Sequence, residues 1–419
     1  MSRLASIAPL LHRGAGRVPG LSPALGLLER PRREAMLQHR VGRRRPPIPV
    51  EIVPDLEPQA RDVEIAARLL AAHRAAAADG PPLPDPARAD LWRGIYRRQR
   101  RFAEILARGD PPELAGYLCN VSRHDASQGI TQGNVEYARI TRDRSYRDFL
   151  ALLTKDSLVA LAEALGAVPV ENPAQGSLGA SLHADSDALL AGVERRVGIE
   201  LRPPEIDGGL LKLSTARGRF GERDLNAIFT AWVVHRTIPP GGRICEIGAG
   251  SGRVAYWSHR LGARSITLID LPHVNVVQGY YLLRSLPDAP ITLYGEPAPS
   301  GESLRILPNH AIAADHPHPH PHAYDLVLNQ DSFPEMHPDT VADYLRWIRS
   351  VGPARLLSIN HENKPPYGRG LAHVSVPEAV ARAGGFELED RVPYWLRRGY
   401  VTELYRVLGE GPTPPSPLS

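Results

Sequence analysis

The chain has 419 residues, 42% of them hydrophobic, which is long for one domain and suits two. No run approaches the roughly twenty apolar residues of a membrane span, the Leu4–Leu11 stretch is too broken for a secretory signal, and two cysteines, Cys119 and Cys245, are too few for a disulfide framework. The net charge of +4 is uneven: residues 1–110 hold 20 Arg, no Lys and 12 acids, or +8, which leaves −4 for the rest. A reducing, cytoplasmic setting is expected. Residues 1–50, rich in Arg, Pro and Gly, read as a flexible basic tail. They lack aromatics for base stacking, so nucleic acid is not an expected partner. Residues 51–205 read as a helical N-terminal domain, on the acceptor side of the site. Its helices are expected over 58–78, with Ile65, Leu69, Leu70 and Ala71 on one side, over 87–108, with Trp92, Ile95, Tyr96, Phe102 and Ile105, and over 146–165.

Residues 206–410 alternate strand and helix, before a short tail at 411–419. A helix is expected over 223–235, then strands near 243–247, 265–269, 291–295, 324–329, 354–360, 386–391 and 400–407. Further helices fall near 252–261, 273–286, 338–349 and 377–383. This order predicts an α/β fold with a doubly wound parallel sheet. The last two strands are too close for a crossover and predict an antiparallel hairpin at the edge. Seven strands closed by such a hairpin form the Rossmann-like methyltransferase version of the fold. The tract His316–His322 alternates with proline and reads as an exposed extended loop.

Arg243-Ile-Cys-Glu-Ile-Gly-Ala-Gly-Ser-Gly-Arg253 is a strand, a glycine turn and the start of a helix; Ser265–Asp270 is a second strand ending in an acid. A dinucleotide site wants a third glycine where Arg253 stands. Glu246 would also repel a pyrophosphate. A nucleoside carrying a sulfonium and an ammonium but no phosphate fits better, which selects S-adenosylmethionine (SAM). The expected cofactor contacts are Glu246, Gly248, Ala249, Gly250 and Gly252 in the turn, Asp270, which can accept from both ribose hydroxyls, and Leu271. Asn329 and Gln330 at the tip of a later strand complete the set.

In open α/β sheets ligands lie beyond the carboxyl ends of the strands. Two further tips therefore matter, Asn329–His337 and Asn360–Lys364. Asp331, Glu335, His337 and His361 are the candidates for a general base, which a weakly acidic hydroxyl acceptor requires. A divalent metal on the carboxylates is another route, although nothing has fixed metal-ligand spacing. Neither a proline pair nor a stacking aromatic follows Asn329 directly, which argues against a nucleobase amine as acceptor.

The strings E-I-G-A-G-S-G-R, L-I-D-L-P-H-V-N-V-V-Q-G-Y-Y-L, N-Q-D-S-F-P-E-M and S-I-N-H-E-N together resemble the sugar O-methyltransferase family. The likeness covers about 205–407 and extends into 110–140 through Leu118–Asn120 and Gly129–Gly133. Asp331–Met336 is its most specific part. The resemblance implies methyl transfer from SAM to a sugar hydroxyl, with Asp331 and Glu335 facing the acceptor. The expected partner is a small-molecule or glycan acceptor, and a homo-oligomer stays open. The alternatives are a carboxylate or other natural-product acceptor, an RNA bound through the basic tail, and a scaffold without catalysis.

Overall fold

Runs such as Leu326–Leu328 are apolar on both faces, the pattern of strands covered from both sides. The computed structural model describes residues 47–81, 90–131, 133–172, 179–297, 301–312, 324–362 and 373–408. Most of the basic tail, the histidine–proline tract, Asn363, Lys364 and the last residues lie outside these.

Among the described residues the first elements are strand β1 (Val50–Ile52) and helix α1 (Ala60–Asp79). Helices α2 (Leu91–Tyr96), α3 (Arg100–Arg108), α4 (Pro111–Cys119), α5 (Gly133–Arg142), α6 (Arg144–Ala164), α7 (Ala180–His183) and α8 (Ser186–Val197) follow. A hairpin of β2 (Leu211–Thr215) and β3 (Gly218–Phe220) then leads into α9 (Glu222–Thr237). The second half runs β4 (Arg243–Ile247), α10 (Arg253–Arg260), β5 (Ser265–Asp270), α11 (Pro272–Ser285), β6 (Ile291–Leu293) and β7 (Leu304–Pro308). It ends with β8 (Leu326–Gln330), α12 (Pro338–Val351), β9 (Arg355–His361), α13 (Val376–Ala383), β10 (Phe386–Pro393) and β11 (Tyr400–Val407).

The main sheet has the order β10-β11-β9-β8-β4-β5-β7-β6. All pairings are parallel except β11 with β9 and β10 with β11. This is the Rossmann-like methyltransferase sheet with its reversed hairpin, enlarged by one edge strand. The eighth strand is a departure from the expected seven: the unexpected β7 lies between β5 and β6, which moves β6 out to that edge of the sheet. Arg305 and Pro308 hid β7 in the sequence, yet its burial alternates residue by residue, as a sheet requires.

Two other expectations need correction. The helix expected over 87–108 is broken at 97–99. Buried Gln99 turns its amide to the Ala126 carbonyl at 3.2 Å, and the Asp125 carboxylate takes the Arg101 N–H at 3.0 Å, so tertiary bonds replace helix continuation. A three-stranded sheet, β1-β2-β3, also appears where a helical region and a transition were expected. It joins residues 50–52 to the segment before α9, with Val50 opposite Leu213.

One core runs from Ile65 in α1 to Leu396 beside the last hairpin, so the N-terminal helices share a packed interior with one face of the sheet. The other face buries Cys245, Ile247, Val327, Phe333 and Trp347 beneath α12 and α13. No helix among the described residues is long and apolar enough to cross a membrane.

Candidate functional site

The chain steps outward from β4 to β5, then returns to place β8 on the other side of β4, so the tips of β4, β5 and β8 border a crevice. A cavity of about 1070 Å³ lies there. The glycine turn forms one wall. Gly248 has φ +71°, and a Cβ on it would stand 2.2 Å from Ser332 Oγ, which itself donates to the Ile247 carbonyl at 3.2 Å. Only glycine lets the β4 and β8 tips approach this closely. Gly252, at φ +78°, would place a Cβ 3.1 Å from Leu282, so its role is to seat α10 on α11.

Of the expected cofactor residues, Glu246, Gly248, Ala249, Gly250, Asp270, Leu271 and Gln330 line the cavity. Gly252 and Asn329 do not. Asn329 is fully buried, donates to the Ile247 carbonyl at 3.1 Å and accepts from Phe333 N at 3.3 Å and Asn360 Nδ2 at 3.0 Å. It is a bracket between strands. Asp270 accepts the Gly250 N–H at 2.9 Å on one oxygen and its neighbour Leu271's N–H at 2.8 Å on the other. Each oxygen keeps a lone pair for a further donor. Burial pushes Asp270 up to about 7, against the pull of those two N–H groups. Burial and the Asp270 charge push Glu246 up to about 8.

Of the four candidate bases, Asp331 and Glu335 line the cavity, while His337 and His361 do not. Asp331 sits in the left-handed region at φ +65°, a conformation stabilised by what its carboxylate holds. One oxygen pairs with Arg397 Nη1 at 2.5 Å and the other accepts the Tyr400 hydroxyl at 2.5 Å. Burial alone would raise its pKa, but the charges of Arg397 and Arg223 with these bonds hold it below the usual range. It is a fixed anion. Glu335 is pushed up to about 7 by burial and then by Asp331, against Arg223 and a hydrogen bond from Trp92. The two neighbouring carboxylates are thus driven apart in proton affinity.

His337 is the N-cap of α12, its Nδ1 accepting the Asp339 N–H at 3.2 Å. His361 packs edge-on against Tyr400 at 5.6 Å and lies 6.0 Å from His373. Both were expected as candidate bases, and neither lines the cavity. Replacing His337 by alanine is expected to leave the methyl-transfer rate within about twofold while costing about 1 kcal/mol in a denaturation titration. A hundredfold loss of rate would return it to the candidate bases.

The sequence reading missed Arg397 and Tyr400, which fix Asp331, and did not single out which residues of the N-terminal helices meet the cavity. Trp92 and Tyr96 of α2, with Gly129 and Ile130, also line the cavity. Tyr96 lies 4.8 Å from the ring of buried His273, whose neutral form burial enforces, its pKa falling to about 3. Among the described residues, no group of three or more His, Cys, Asp or Glu side chains is arranged to hold a metal ion.

Neither a family model nor a curated protein matches the chain. Solved structures resemble part of it. The CcbJ methyltransferase from Streptomyces caelestis is 15% identical, over 44% of this chain and 90% of its own, with a TM-score of 0.33. Magnesium protoporphyrin IX methyltransferase from Synechocystis PCC 6803, with bound S-adenosylhomocysteine, is 14% identical over 45% and 86% at a TM-score of 0.32. The 1,6-didemethyltoxoflavin N1-methyltransferase from Burkholderia thailandensis, also with S-adenosylhomocysteine, is 19% identical over 43% and 78% at 0.30.

Proposed function

We propose that the chain is a SAM-dependent O-methyltransferase that methylates a sugar hydroxyl, with Glu335 as the general base. The observation that carries the reading is a carboxylate poised near 7, on the same cavity wall as a glycine turn and a ribose-type acid. A cavity of about 1070 Å³ exceeds the roughly 300–1,000 Å³ of a single-ligand pocket, which leaves room for donor and acceptor together.

The residues suit SAM. Glu246 and Asp270 are buried, and among the described residues no cationic side chain bonds to them, so the site favours a positively charged ligand over a pyrophosphate. The free lone pairs of Asp270 suit the two ribose hydroxyls. When bound, SAM supplies a methyl group already activated by its sulfonium. The protein's own task is to orient the acceptor and take its proton. Glu335 takes that proton. Asp331, clamped by Arg397 and Tyr400, stays ionised and keeps Glu335 basic enough at neutral pH. The N-terminal helices would form the acceptor side, with Trp92 and Tyr96 excluding water and offering flat apolar faces to a sugar ring.

The test is calorimetry with SAM, followed by methyl-transfer assays on a panel of glycosides. Saturable binding and transfer to a sugar hydroxyl are expected. Absence of SAM binding sinks the enzyme reading; transfer only to carboxylate acceptors replaces the sugar reading.

A further inference from the structure

We infer that Trp92 is a positioning residue for Glu335: its indole N–H holds one carboxylate oxygen of the base and leaves the other for the acceptor hydroxyl. This rests on the reading of Glu335 as the base and adds the part of the N-terminal helices that orients it.

The first observation is the donor itself. Glu335 stands among the charges of Asp331, Arg223 and Arg397 and beside Tyr400. Arg397 and Tyr400 donate to Asp331, and Arg223 acts on Glu335 through its charge. The hydrogen bond to Glu335 comes from Trp92. An indole carries one N–H and no acceptor, so it binds one carboxylate oxygen and cannot take the proton itself. The second oxygen keeps its lone pairs for a hydroxyl.

The second observation is what fixes the indole. Gly129 has φ +81°, and a Cβ on it would stand 3.2 Å from Trp92 Cη2 and 2.9 Å from Ile95 Cδ1. Glycine tolerates both that angle and so close an approach, which makes this backbone a stop behind the indole. The ring of His273 lies 6.5 Å from the indole. The start of α2 is placed independently. Asp90 caps it by accepting the Arg93 N–H at 3.0 Å, and it is near enough to His337 for their charges to interact. Asp90 and Trp92 therefore meet the same short segment after β8, Glu335–His337. Asp90, Trp92, Gly129 and Glu335 all line the cavity.

The contact has a signed consequence. A hydrogen bond donated to a carboxylate favours its charged form, so Trp92 lowers the proton affinity of Glu335 against the burial that raises it. Without the indole N–H, the ionised base is present only at higher pH.

The experiment uses the full chain and two readouts. The first needs no acceptor. The chain has five tryptophans, so emission is compared between variants. The wild type is expected to show a component that titrates near the value of about 7 given for Glu335, absent from both Trp92→Phe and Glu335→Gln. The second is the pH profile of methyl transfer to the best glycoside of the panel above. Trp92→Phe is expected to lower kcat about fivefold below about pH 6.5 and less than about twofold above about pH 8.5, with SAM affinity unchanged. In the Glu335→Gln background the same substitution is expected to change kcat by less than about twofold at any pH. A loss that is equal at every pH, or that persists in the Glu335→Gln background, overturns the inference by assigning Trp92 to packing or to the acceptor's face. An emission titration that survives Trp92→Phe overturns it as well. Full activity of Glu335→Gln alone is a different result and removes the base reading itself.

Discussion

Glu335→Gln is expected to lower kcat by about 10²-fold or more, the range of a lost general base. Glutamine keeps the shape and can still accept the Trp92 hydrogen bond, but it cannot take a proton. SAM affinity measured by calorimetry should therefore stay within about twofold, separating a loss of chemistry from a loss of binding. The pH dependence supplies a second reading. The base acts in its ionised form, so wild-type kcat should rise with pH through about 7, the value to which burial and Asp331 push Glu335. In Glu335→Gln that rise should disappear. A variant retaining more than a tenth of the rate would mean that the acceptor needs no base, as a carboxylate does not.

Arg253→Met is expected to cost about 3–5 kcal/mol of folding stability, read from the midpoint of a urea titration. Arg253 is 4% exposed and faces Asp207 at 2.6 Å and Asp224, while Lys212, 1% exposed, stands 3.4 Å and 3.8 Å from the same two carboxylates. Two cations and two anions balance in a buried cluster. Burial pushes Asp207 up, yet Arg253 and Lys212 hold it below its usual value. Removing one cation leaves a carboxylate buried with no full partner, which costs more than the original pair contributed. A loss below about 1 kcal/mol would show that water or a rearrangement reaches the cluster.

The parts of this molecule legible from sequence are those where backbone geometry restricts the residue type. Gly248 is glycine because Ser332 crosses beneath it, and Asp270 ends a strand at a fixed distance from the turn, so both announce themselves by spacing. The hairpin at β10 and β11 was legible because so short a connection forbids a crossover. Other features were hidden by shared chemistry. A polar strand tip can be a bracket or a reaction edge, and nothing local to Asn329 tells that its side chain ties β4, β8 and β9 together. Arg397 reads like any solvated turn arginine until the fold brings it to Asp331. Arg305 and Pro308 obscured β7, and the break at Gln99 depends on Ala126 and Asp125, which no local pattern reveals.

The pairing of Val50 with Leu213 also bears on how the protein is made. A ribosome releases β1 and the N-terminal helices long before β2 and β3 emerge. Until then β1 has no partner for its N–H and C=O groups, and the apolar sides of Ile65, Leu69 and Leu70 lack the sheet that later covers them. Such long-range closure slows folding and exposes an unpaired strand edge during synthesis. The nascent first half is therefore the stage at which a chaperone would have the most to shield.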